Sequence, residues 1–116
     1  MPRDYKVYLD DIRAAIEKIN RYIGALTPEE VLKDELKFDA IIRNLELIGE
    51  AVKNIPREVW AANPEIEWKK IGGMRDILSH QYFGIDDAII LDVLKNKLPE
   101  LYLKVKEMLN ENRGCE

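Results

Sequence analysis

Ile41-Ile42-Arg43-Asn44-Leu45-Glu46-Leu47-Ile48-Gly49-Glu50-Ala51-Val52-Lys53-Asn54-Ile55 decides the fold class. Ile41, Leu45, Ile48, Val52 and Ile55 recur at alternating spacings of four and three, which lays them along one side of an α-helix. Phe38 and Ile42 add an adjoining stripe, so the apolar arc is wider than one neighbouring helix needs. Gly49, mid-helix, costs about 1 kcal/mol relative to alanine, and close backbone packing is its expected use.

This helix is expected to start at Thr27-Pro28-Glu29-Glu30, which supplies an N-cap, a first-turn proline and a capping-box glutamate, and to run unbroken to about Ile55. Upstream, Ile12, Ile16, Ile19 and Ile23 mark an amphipathic helix from Tyr5 to Ile23, closed by Gly24. The short turn makes the two helices antiparallel neighbours. Downstream, Pro56 ends the second helix and opens a compact segment with Trp60, Asn63-Pro64 and Trp68, both tryptophans being expected to fill the core.

Gly72-Gly73 are read as a turn before a helix from about Met74 to Phe83, stopped by Gly84. Asp86 or Asp87 then caps a last helix with a seam of Leu91, Leu94, Leu98, Leu101, Val105 and Met108, kinked at Pro99. No strand alternation, repeat or low-complexity linker interrupts the pattern. The chain therefore reads as all-α, a bundle of four or five helices.

At 116 residues, 13.5 kDa and 47% hydrophobic content, the chain suffices for one core, and residues 1–116 are taken as a single domain. Eighteen Lys and Arg against twenty-two Asp and Glu leave a net charge of −4, which excludes a generally basic nucleic-acid coat but allows a local basic site. Cys115 is the only cysteine and His80 the only histidine, so neither a disulfide nor a multi-histidine metal site is expected. No signal peptide or membrane-spanning run is legible, and a soluble, cytoplasmic protein without a cofactor is expected.

Met74-Arg75-Asp76-Ile77-Leu78-Ser79-His80-Gln81-Tyr82-Phe83 crowds polar groups onto one short helix. Arg75, Ser79 and Tyr82 share one face; Asp76, His80 and Phe83 share the next. Asp76 can orient and help protonate His80 four positions on, while Arg75 offers a fork for phosphate. Gly72 and Gly73 would place helix N-terminal amides beside it. On spacing alone, a solvated helix face with a weak salt bridge accounts for the same residues and is the commoner case.

Arg75-(x)4-His80-x-Tyr82 resembles the signature of the HepT-like toxins of the HEPN superfamily. The segments Arg43-Asn44-Leu45-Glu46-Leu47-Ile48-Gly49-Glu50-Ala51, Trp68-Lys69-Lys70-Ile71-Gly72-Gly73-Met74-Arg75 and Leu98-Pro99-Glu100-Leu101 extend the resemblance over most of the chain. It implies a homodimeric HEPN-type bundle in which two motif helices share one cleft, acting as a metal-independent RNA endonuclease. Arg75, His80 and Asp76 would be catalytic, with Ser79, Gly72 and Gly73 at the substrate. The implied partner is a nucleotidyltransferase antitoxin of the MNT type, which silences the toxin by transferring AMP to the motif tyrosine, here Tyr82. The alternative is a non-catalytic helical partner that holds nucleotide or substrate for the nucleotidyltransferase.

Overall fold

The computed structural model describes residues 4–80 and 87–114, with side chains at 4–74 and 88–110. Every regular element among them is helical: α1 (Tyr5–Ile23), α2 (Pro28–Leu32), α3 (Glu35–Lys53), α4 (Arg57–Ala62), α5 (Trp68–His80), α6 (Asp87–Asp92), a π-turn (Val93–Lys97) and α7 (Leu98–Gly114). With α6, the π-turn and α7 read as one interrupted rod, four principal helices form the expected all-α bundle.

Asp4 caps α1 by accepting from the Lys6 amide at 3.0 Å, and Leu9, Ile12, Ala15, Ile16 and Ile19 line its buried face. Gly24 ends it at φ +56° and ψ −125°, a conformation that a side chain would strain. The capping box is present in both directions: Thr27 Oγ1 accepts from the Glu30 amide, and Glu30 Oε1 accepts from the Thr27 amide.

The expected unbroken helix from Thr27 to Ile55 is divided at Lys33-Asp34. Asp34 Oδ1 accepts from the Lys37 amide at 3.1 Å, so a second N-cap starts α3. Aspartate's short carboxylate favours the cap over a helix interior, and that preference wins here. The α3 stripe is as read: Ile41, Leu45, Ile48 and Val52 are buried, with Ile55 just beyond the helix, and Gly49 is buried too. α3 is the central rod, in contact with α1 and α5, while α7 lies against α1. Tyr102 on α7 donates to Glu17 on α1 at 2.9 Å, and Arg13 bridges Glu17 to Asp10.

Pro99 disturbs the last rod as expected, but through a π-turn. The Leu98 amide donates to Val93 O, five residues back, and Pro99 follows without an amide to donate. The wider turn shifts the seam. Ile90, Leu94, Leu98, Leu101, Val105 and Met108 are buried, whereas the expected Leu91 is only half-buried. Of the two tryptophans, Trp68 is a core residue and Trp60 lies half-buried against the core.

Candidate active site

α5 carries the motif, and its first turns are firmly held. Glu67, just before it, accepts from the Ile71 amide at 3.0 Å through its carbonyl. Its carboxylate accepts from Lys97 at 2.8 Å and Lys70 at 2.9 Å, and these ammonium groups pull its pKa down to about 2. Trp68 is 3% exposed and its Nε1 donates to Asn63 O at 3.0 Å.

The turn expected at Gly72-Gly73 does not form. α5 begins at Trp68, so both glycines lie inside the helix and do not present free N-terminal amides beside Arg75. Burial of Trp68 and Met74, with Ile71 against the core, outweighs the roughly 1 kcal/mol that each interior glycine costs. Gly72 is where α5 meets α3: a Cβ there would lie 3.4 Å from Lys53 Cγ and 3.5 Å from Val52 Cγ1. A Cβ on Gly73 would meet nothing within 4 Å among the described residues.

The contact of α5 with α3 is extensive, yet α3 ends at Lys53, level with Gly72; α5 must therefore run back along α3. At 100° per residue, the positions of Arg75 and Ser79 continue the stripe of Trp68 and Gly72, which is turned to α3. Asp76 and His80 continue the stripe of exposed Lys69 and half-buried Gly73. The helix is continuous through His80, so Arg75 and Ser79 are one turn apart along the backbone, as are Asp76 and His80. Tyr82, with Phe83, Gly84 and Asp86, lies outside the described residues.

Two features escaped the sequence reading. An open groove between α1 and α3, about 430 Å³ in volume, is lined by Tyr8, Asp11, Lys18, Asn44, Leu47 and Glu50 among others. Asn44 is the buried polar residue of α3, its Nδ2 donating to Ala40 O at 2.9 Å; an asparagine flanked by leucine on an apolar stripe was the available signal. The second feature is Arg57 over Trp60, an i, i+3 pair on α4. Among the described residues no three His, Cys, Asp or Glu side chains gather closely enough to hold a metal ion.

A family model described as "Ribonuclease HepT-like" matches residues 12–108. The chain belongs to the HepT-like ribonuclease family. The "Probable ribonuclease HepT" of Thermococcus cleftensis is 41% identical over 93% of this chain and 98% of its own length. "Putative RNase TTE0752" of Caldanaerobacter subterraneus subsp. tengcongensis is 39% identical over 91% of this chain and 95% of its own. "Gamma-glutamylcyclotransferase and putative RNase MJ0434" of Methanocaldococcus jannaschii is 39% identical over 98% of this chain, which spans 53% of that longer protein. No solved structure matches this HepT-like chain.

Proposed function

We propose that the chain, acting as a single domain over residues 1–116, is the toxin of a toxin–antitoxin pair and a metal-independent RNA endonuclease. The observation that carries this reading is the uninterrupted α5 backbone, which keeps Arg75 and His80 at the motif spacing in a member of a ribonuclease family. His80 acts as general base on a ribose 2′-hydroxyl, whose oxygen attacks the adjacent phosphorus as the P–O5′ bond breaks; Asp76 orients the imidazole, Arg75 neutralises charge developing on the phosphate, and the 5′-oxygen leaves with a proton taken from water, so that one product ends in a 2′,3′-cyclic phosphate. Ser79 assists on the Arg75 stripe. RNA brings its own nucleophile, so a metal-bound water is not needed and DNA is inert.

The site is composite, with one Arg75 and one His80 from each copy of a homodimer. The cognate antitoxin is an MNT-type nucleotidyltransferase that transfers AMP to Tyr82. No described helix is long and apolar enough to cross a membrane, which agrees with action on RNA in the cytoplasm. The alternative, a non-catalytic helical partner of the nucleotidyltransferase, draws on the net charge of −4.

Cleavage of single-stranded RNA by the purified chain in EDTA separates the two. Arg75→Ala and His80→Ala are each expected to lower the rate by about 10²-fold or more while the helical circular dichroism signal stays intact. Cleavage by both variants at the original rate, or loss of the original activity to chelation, would refute the mechanism.

A further inference from the structure

Trp60 and Trp68 stack with ring centroids 6.2 Å apart and planes within 4° of parallel, but the two indoles are not equivalent. Trp68 is a satisfied core residue, its N–H spent on Asn63 O. Trp60 is half-buried, and its Nε1 is buried without an acceptor among the described residues. Arg57 lies over it, Cζ 3.8 Å from the ring centroid, itself exposed and in no ion pair among the described residues. From core to solvent the order by burial is Trp68, Trp60, Arg57. Core filling explains Trp68 completely; among the described residues it leaves the Trp60 N–H without an acceptor and the Arg57 guanidinium without an anionic partner.

We propose that Arg57 and Trp60 form a stacking subsite for an unpaired base of single-stranded RNA, flanking the bond cut at the motif. This rests on the ribonuclease reading. Unpaired bases stack on flat aromatic and guanidinium surfaces, and an unpaired cation adds attraction for the neighbouring phosphate. The Arg75 backbone lies about 10 Å along α5 from Trp68, a gap that a short single strand bridges. Along that gap runs the stripe of Lys69 and Gly73: Lys69 is exposed and forms no ion pair among the described residues, and Gly73 presents no side chain. That exposed lysine and bare glycine set the course of the strand from the stack towards the positions of Asp76 and His80.

Trp60 and Trp68 are the only tryptophans in the chain, so intrinsic fluorescence reports on this stack alone. The full chain is titrated with a 2′-O-methyl oligoribonucleotide, which cannot be cut, and assayed with a cleavable RNA oligomer of the same sequence. Quenching on binding is expected. Arg57→Ala should weaken binding and raise KM by about five- to ten-fold while kcat changes by less than about two-fold. Arg57→Gln, planar but uncharged, should fall between. Absence of quenching, an Arg57→Ala variant that binds as tightly as the original, or full recovery by Arg57→Lys, which keeps charge without the plane, would overturn the subsite. If the chain binds with quenching and the expected Arg57 dependence but cuts no RNA, the stack stands and the ribonuclease reading falls. If it cuts without quenching and Arg57→Ala leaves KM unchanged, the ribonuclease reading stands and the stack falls.

Discussion

Tyr82 follows Arg75 by seven residues, the spacing of two helical turns, and lies outside the described residues. Its proposed regulatory role follows from that spacing and from the family resemblance. An AMP group there would bring an anionic phosphate towards Arg75 and place a bulky nucleoside in the path of RNA. Tyr82→Phe removes only the hydroxyl, so the variant should cut RNA as the original does yet gain no mass on co-expression with the cognate nucleotidyltransferase. Intact mass spectrometry reads the outcome, and the same added mass on Tyr82→Phe would refute the role. The place of Arg57 in the sequence between Pro56 and Glu58 suggests only a helix start, because a cation over an indole becomes visible only when the i, i+3 pair has folded.

At the scale of elements, adjacent glycines in α5 should respond in opposite directions. Gly73→Ala adds a methyl group that meets nothing within 4 Å among the described residues and relieves the helix penalty, so it should raise stability by about 1 kcal/mol, read as a higher Tm. Gly72→Leu pushes a large side chain against Val52 and Lys53 and should cost about 1 to 3 kcal/mol. Equal responses would mean that the α3–α5 contact is not at Gly72. The clasp of Glu67 with Lys97 and Lys70 ties the start of α5 to the π-turn. Glu67 titrates at about 2 in the fold against an ordinary 4.5, so the clasp contributes fully above pH 4.5 and is lost as pH falls towards 2. Thermal melts between pH 2 and 6 should show a shallower acid loss for Glu67→Gln than for the original chain; identical slopes would remove the clasp from the acid response.

At the scale of the molecule, the proposed composite site requires two copies. Of the wide apolar arc of α3, Phe38 and Ile42 are only half-buried, and away from that arc Leu36 and Leu47 are 82% and 48% exposed. Light scattering at micromolar concentration should therefore give a mass near twice 13.5 kDa, and a monomer would remove the composite cleft. Gly49 lends this no support, since it is buried within the chain. By itself the sequence determined the helices and much of the core: stripes at spacings of three and four, the Thr27-Glu30 box and the stop at Gly24 act within a few residues, where propensity and capping decide. It also carried the motif spacing that leads to Arg75 and His80. Only the tertiary structure decided that Gly72 and Gly73 sit inside a helix, because the compensating burial of Trp68 and Met74 comes from distant elements. The same holds for the choice of Ile90 over Leu91, set by the π-turn before Pro99, and for the Trp60–Trp68 stack with Arg57 on its outer side. These depend on which surfaces meet in three dimensions, and local spacing does not encode that.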